Sequence, residues 1–570
     1  MIISRLASLD IIIKRRITVA EPVILEKQGL GFEFKQLIKE PPLVIALVVL
    51  FVLGFIFILY PLFKIIIIPQ SSDWLRFFNE PQFLRAFQNT MFSSLLSTTT
   101  AVVAGFIYAY SMNYTDIPGK KFFRTVVLFP MMSPSVVTGL AFIILFGRRG
   151  FITYQVLGLK TDLYGWVGLW IVQSLAFFPL AYMTISAVLK SISPNLELAA
   201  QNLGANGFRL FRTVTFKLAL PGVLSAFLLV AINAFADFGN PMLVGGNYRV
   251  LATEAYLQVT GAWDMPIAAV LSVMLVIPTL GVFLLQKYYL DNKSYVTVTG
   301  KPVSGLKRIT VSPVTKWCLF AACSCIALLI LSIFITILCV AVTKVFGVDY
   351  TFTLENFMEV FFRSDALINS WIVSFITAIG TTLLGLIIAF VVSRKKFPGR
   401  NLMDFGALLP LSLPGTFIGL ALILAFNEGP FAITGSLAII IVGLVLRQMP
   451  VGYRNAISGF KQIDKSIEEA SANLGANSIV TFRRIVIPML KNACSTCFVY
   501  SFMKSMNTLS TVIFLVSPQW MLASVSILNL ADHGYYGKAS ATGIGMMVSI
   551  LITFAIVRLI FKKKINLFEL

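Results

Sequence analysis

Few side chains in this sequence could do covalent or redox chemistry, and their spacing argues against it. Cys494 and Cys497 are spaced as a redox or metal pair, but they sit in an apolar stretch with no histidine or further cysteine beside them. Small apolar helix residues are placed in the same way. His533 is the only histidine, and with Tyr535 and Tyr536 it falls short of the gathered oxygen and nitrogen donors that a transition metal needs. No metal site is expected in this chain. Lys120, Lys301 and Lys538 each follow a glycine, yet none precedes Ser or Thr. The loop that cradles nucleotide phosphates is therefore missing, and no catalytic residue is assigned.

Charge in apolar surroundings is the remaining chemistry. Asp237 and Lys504 stand at the ends of apolar runs, and a charge near the bilayer centre costs at least about 2.5 to 3.5 kcal/mol on insertion scales. An internal repeat, described below, sets Asn233 opposite Lys504 and Asp237 opposite Thr508, with Asn507 adjoining. These polar positions lie one helical turn apart on one face. Asn233, Asp237, Lys504, Asn507 and Thr508 are the expected lining of a translocation path. The alternative leaves Asp237 in an outer loop and lets Lys504 snorkel or pair locally.

The pentapeptide Asn-Leu-Gly-Ala-Asn occurs at Asn202 to Asn206 and again at Asn473 to Asn477, each time in a polar stretch between long apolar segments. Around the second copy, Glu468 and Glu469 open a short helix that runs to Gly475, and an amphipathic segment follows. Around the first, the corresponding helix contains Glu197. Either the membrane interface or a partner protein would satisfy such an apolar face.

Composition gives the elements that carry these residues. With 57% hydrophobic and 12% charged residues and a mean hydropathy of +0.86, the chain reads as an all-α polytopic membrane protein. Twelve apolar runs approach the roughly 20 residues that a helix needs to cross. They fall near 43–63, 91–112, 123–146, 163–189, 218–236 and 267–288, then 317–342, 371–393, 402–426, 433–453, 493–515 and 541–561.

The net charge of +21 could signal nucleic acid, but its placement follows topology. Lys14, Arg15, Arg16, Lys120, Lys121, Lys190, Arg209, Lys293, Arg394, Lys395, Lys461, Arg483 and Lys562 fall in alternate loops and the tails. Asp73, Glu80, Asp264, Glu355, Glu359 and Asp532 fall in the others. The positive-inside rule puts both termini in the cytoplasm, and no nucleic acid partner is expected. The first forty residues lack an apolar core followed by a small-residue cleavage site, so no secretory signal is expected.

The repeat extends far beyond the pentapeptide. Asn89 recurs as Asn369, Pro118-Gly119 as Pro398-Gly399, Pro130 and Pro134 as Pro410 and Pro414, all 280 positions on. From Pro179 and Pro450 onward the offset is 271, so the second half lacks nine residues in an outer loop. Six spans return the chain to one side, and the repeat is parallel. The expected division is a segment 1–42, a first half 43–289, a linker 290–316, a second half 317–561 and a tail 562–570. The prolines of the third span in each half are read as kinks that shape the bundle, with a broken, cavity-lining helix as the alternative.

The second pentapeptide loop resembles the EAA motif of ATP-binding-cassette importer permeases. Glu469, Ala470 and Ser471, then Gly475, Ile485 and Pro488, fit it. The first copy fits less closely, with Leu198, Ala199 and Ala200, then Gly204 and Val214, the acid moved back to Glu197 and Lys217 in place of the proline. The resemblance implies a type I permease fold and coupling loops that dock on a separate ATPase. Its residues here are Glu197, Ala199, Ala200, Leu203, Gly204 and Ala205, and Glu468, Glu469, Ala470, Leu474, Gly475, Ala476 and Pro488. It further implies two ATPase copies, which bind ATP and Mg, no cofactor in this chain, an extracytoplasmic substrate-binding protein and a bacterial inner membrane. Two permease halves fused in one chain resemble the ferric iron importers and their 2-aminoethylphosphonate and thiamine relatives, as do Asp237 to Pro241 and the linker stretch Tyr295 to Pro302. Ferric iron is the expected substrate, with the other solutes, and more distantly an ion-coupled carrier, as alternatives.

Overall fold

Among the described residues ten helices are long and apolar enough to cross a membrane, and two bent pairs, each counted as one span, bring the number to twelve. A computed structural model describes residues 41–160, 163–290, 311–429 and 432–561. The polar N-terminal segment before Pro41, the linker stretch Tyr295 to Pro302 and the tail 562–570 lie outside the described residues. Spans 1 to 6 are Leu43–Ile67, Pro81–Tyr114, Ser135–Val156, Trp166–Ser191, Gly207–Phe235 and Met265–Tyr288. Spans 7, 8, 10 and 12 are Pro313–Ala341, Ala366–Arg394, Leu437–Lys461 and Tyr536–Ile560. Span 9 is the pair Arg400–Leu411 and Gly415–Phe426, bent by 110°, and span 11 is Phe482–Met489 with Lys491–Asn507, bent by 68°.

The third span of each half therefore departs from the single kinked helix expected over 123–146 and 402–426. In the first half it is cut into Lys120–Val126, Phe129–Met132 and Ser135–Phe146. Proline explains the break twice over. Pro134 and Pro414 hold ψ at 146° and 148°, and neither has an N–H to offer the carbonyl four residues back, at Pro130 and Pro410. Apolar composition reads continuously through such a break, whereas the backbone stops.

The amphipathic segment after the first pentapeptide is likewise not a separate helix. It runs straight into span 5 as Gly207–Phe235. In the second half the matching segment bends at Leu490, just past Pro488, and the long helix ends at Asn507 rather than near residue 515.

One glycine in each half sets its packing. Span 2 lies against span 4, and span 8 against span 10, with Gly105 and Gly385 at the contact. A Cβ at Gly105 would come within 2.7 Å of the Ala181 Cβ, and one at Gly385 within 2.7 Å of the Gly452 carbonyl carbon. Close backbone approach of this kind is how helices associate where lipid offers no hydrophobic drive.

The first span of each half packs on the other half. Phe57 and Tyr60 of span 1 meet Phe426 of span 9 with ring centroids 5.7 and 5.9 Å apart. Phe320 and Phe334 of span 7 meet Phe123 and Phe129 at 5.8 and 5.5 Å.

The acidic-loop end carries the only described strands, a hairpin of β1 (Thr343–Val345) and β2 (Asp349–Phe352). It rests on Phe151–Val156, a wide helical turn at the end of span 3, beside the loop where the first half has its nine extra residues. Tyr350 donates to Gln155 Oε1 at 3.2 Å and Phe346 lies 6.3 Å from Phe151. The turn thus provides a brace between the halves.

The repeated Asn89 and Asn369 have one job. Asn89 Nδ2 donates to the Arg249 carbonyl at 2.9 Å, and Asn369 Nδ2 to Gln519 and Met521 at 3.4 and 3.3 Å. Next to them Thr90 and Ser370 accept the N–H groups of Leu251 and Ala523, at the starts of the short helices Leu251–Thr260 and Ala523–Asp532. Each half pins the segment between its last two spans in this way.

Candidate coupling loops and translocation path

Every residue of the pentapeptide has a backbone task. The first coupling helix, Pro194–Asn202, and the second, Lys465–Asn473, end on their asparagines. Gly204 and Gly475 then take φ of +88° and +84°, the left-handed region that glycine enters without a Cβ penalty. Ala205 N–H reaches the Ala200 carbonyl at 3.0 Å and Ala476 N–H the Ser471 carbonyl at 3.1 Å, which closes a Schellman motif. Asn206 and Asn477 start the next helix, and Asn477 Oδ1 accepts the Val480 N–H at 2.9 Å. The Leu203 and Leu474 N–H groups close the last helical turns, on the Ala199 and Ala470 carbonyls at 3.1 Å, but their side chains pack on nothing. Both are 89% exposed at the loop tips, an apolar side chain offered outward at the same place twice.

The acids are arranged differently from the sequence alignment of Glu469 with Leu198. Glu469 is exposed. The inward-facing acid is Glu468, which at the offset of 271 matches Glu197, so the two copies share an acid after all. Glu197 is buried and accepts from Thr215 Oγ1 at 2.8 Å. Glu468 instead takes a 2.7 Å ion pair from Arg394 Nε, at the end of span 8. Arg394 Nη2 also donates to the carbonyls of Phe460 and Ile463, at 3.2 and 2.9 Å. The position equivalent to Arg394 in the first half is Tyr114, stacked on Tyr110 at 4.8 Å. Asp464 caps the second coupling helix, and the Ser466 N–H at 3.0 Å holds its carboxyl below the usual range. Ala199 and Ala470 are exposed, Ala200 is half-buried, and Pro488 and its counterpart Lys217 are exposed. Deleting Gly475 to Asn477 is expected to leave a folded complex whose ATPase no longer responds to loaded binding protein; unchanged stimulation would refute the coupling role.

The five path residues do not meet in one hydrogen-bonded cluster. Asp237 is buried and accepts from Gln173 Nε2 at 3.0 Å and Asn240 Nδ2 at 2.8 Å, while Ser97 donates to Gln173. Asn233 is spent on the Leu229 carbonyl of its own helix. Thr508 donates to the Lys504 carbonyl at 2.6 Å. Only Asn507 crosses between the halves, donating to the Met131 carbonyl at 3.2 Å. Met131 belongs to the broken third span, so the amide of one half serves a carbonyl freed in the other.

Arg447 is the residue that sequence reading passed over. It donates through Nη1 to the carbonyls of Pro410 and Leu413 at the break in span 9. An arginine inside the apolar run of span 10 was a visible signal. His533 is a surface residue whose ring bonds the Asn529 carbonyl, and Cys494 and Cys497 are free thiols. Among the described residues no three His, Cys, Asp or Glu side chains gather as a metal site.

A duplicated six-span bundle with paired helical loops at its basic end defines a membrane permease of an ATP-binding-cassette importer. The chain belongs to the family of binding-protein-dependent transport system inner membrane components, whose model matches residues 101–293 and again 381–566. The two matches begin 280 positions apart, the offset of the repeat. Its relatives include the ferric transport system permease protein FbpB of Actinobacillus pleuropneumoniae, 35% identical over 89% of this chain and 77% of the relative. The putative ferric transport system permease protein FbpB 1 of Haemophilus influenzae is 34% identical over 83% of this chain and 78% of the relative. Among solved structures, a chain of a bacterial transporter involved in the import of the acidic polysaccharide alginate aligns with 46% of this chain and 99% of its own, at 19% identity and a TM-score of 0.39.

Proposed function

We propose that this permease imports ferric iron, received from an extracytoplasmic binding protein and driven by two copies of a separate ATPase seated on the loops around Leu203 and Leu474. The observation that carries the substrate is the 35% identity to a ferric transport permease across 89% of the chain. Both termini lie in the cytoplasm in this reading, as the alternation of basic and acidic loops requires. ATP and Mg are bound by the partner subunit, because this chain has no phosphate-cradling loop.

Two features of the geometry support alternating access. The halves exchange their first spans, so that motion of one half is transmitted to the other through packed helices. Both coupling helices are tied to the span ends by a buried or partly buried glutamate, which lets a displacement of the loop reach the bundle.

Reconstitution of the permease with its ATPase and binding protein in proteoliposomes tests the reading. Radiolabelled ferric iron is expected to accumulate only with internal-facing ATP hydrolysis, and excess 2-aminoethylphosphonate or thiamine should not compete. Uptake of either competitor in place of iron would overturn the substrate and leave the machine intact.

A further inference from the structure

The second half holds two cations inside the bundle without an acidic partner. Arg447, near the middle of span 10, is deep within the protein yet keeps part of its surface accessible. Its Nη1 serves the Pro410 and Leu413 carbonyls; among the described residues no acceptor engages Nε or Nη2. Tyr500 lies on span 11, which packs directly on span 10. One helical turn further on, Lys504 Nζ stands 5.9 Å from the Tyr500 ring centroid. Lys504 is half-buried and, among the described residues, makes no ion pair and donates no hydrogen bond. Spans 10 and 11 pack directly, and Lys504 lies a turn below Asn507, the residue that bridges to Met131. This places it beside the seam of the two halves. The buried carboxylate of Asp237, whose counterpart in the second half is Thr508, is held by Gln173 and Asn240.

Buried charges are paired or line a water-filled path. Among the described residues neither cation meets a carboxylate; Arg447 is met by two carbonyls through Nη1 alone, and Nε, Nη2 and the Lys504 ammonium are left to serve a mobile anion. Guanidinium and ammonium groups are the donors that carboxylate and phosphate oxygens seek, and the same groups repel a bare trivalent cation.

We propose that Arg447 and Lys504, on the packed spans 10 and 11, form a transit site for oxyanions, and that ferric iron crosses as a complex made net negative by carboxylate or phosphate ligands. The second clause rests on the ferric reading above. The first does not.

Equilibrium binding of radiolabelled citrate and of radiolabelled phosphate to the purified transporter tests the site without iron. Wild type is expected to bind at least one, K504M at least about tenfold more weakly, and K504R nearly as wild type. Since Lys504 makes no ion pair and donates no hydrogen bond among the described residues, K504M should fold, and an unchanged melting temperature checks this; R447K supplies a second variant. Equal affinity in K504M, or no binding of either anion to wild type, overturns the site. The two labels distinguish carboxylate from phosphate. In proteoliposomes supplied with binding protein carrying ferric iron and a labelled anion, iron and label should enter in constant ratio. Iron entering alone overturns the anionic cargo. Absence of iron uptake by wild type would remove both the ferric reading and the cargo statement, and the binding arm would still decide the site.

Discussion

Replacing Gly385 by leucine is expected to prevent the second half from assembling, and Gly105→Leu the first. A Cβ at Gly385 would stand 2.7 Å from the Gly452 carbonyl carbon and 2.8 Å from the Tyr453 nitrogen. Both are backbone atoms within span 10, so no rotamer change relieves the clash. The helices must separate, and with them the contact that holds span 8 on span 10. Overpacking of this kind costs more than about 3 kcal/mol where the neighbours cannot move. Gly281, in span 6, has nothing within 4 Å of an added Cβ, and Gly281→Ala is the control. Monodisperse yield in detergent and the thermal unfolding midpoint measure the outcome. A Gly385→Leu protein that unfolds at the wild-type midpoint would show that the helices are free to shift.

The repeat made this pair of glycines discoverable, because Gly105 and Gly385 are 280 positions apart and their contacts Ala181 and Gly452 are 271 apart. Offsets of that kind are readable in one sequence. Span number was legible for the same physical reason that it is imposed, since a helix must be apolar over the thickness of the bilayer. What composition does not record is where the backbone stops. The breaks before Pro134 and Pro414 are hidden inside apolar runs, and only the geometry turns a kink into two helices at 110°. Charges were misjudged in a related way. Arg394 was read as one more basic residue at the cytoplasmic end, although it makes three hydrogen bonds to the second coupling helix, the turn before it and the end of span 10. Nothing in the residue type separates a topology signal from an anchor. The alignment of acids failed because Glu468 and Glu469 are adjacent, and helix phase decides which one faces in.

That phase leads to the second large effect. Arg394→Met is expected to disconnect the second coupling helix from span 8 while leaving the first seat unaltered. The substitution strands Glu468, 16% exposed, without its cation and removes the donor to the Phe460 and Ile463 carbonyls. Breaking one side of a largely desolvated pair costs about 2 to 4 kcal/mol, much of it from the charge left behind. Glu468→Gln should be milder, because the neutral amide needs no cation. Arg394→Lys should fall between, since an ammonium can meet Glu468 but lacks the planar fork that reaches two carbonyls at once. In the first half the comparable loss is smaller: Thr215→Val removes a single hydroxyl hydrogen bond to the Glu197 carboxyl, about 1.5 to 3 kcal/mol, where Arg394→Met removes an ion pair and two further hydrogen bonds. The measurement is ATPase activity with and without loaded binding protein, beside transport in proteoliposomes. Arg394→Met should retain basal hydrolysis and lose most of its stimulation and transport, with Thr215→Val keeping more of both. If both variants lose stimulation equally, the two seats grip alike and the ion pair is not what distinguishes them. If neither does, the loops transmit motion through their exposed leucine tips and backbone turns alone.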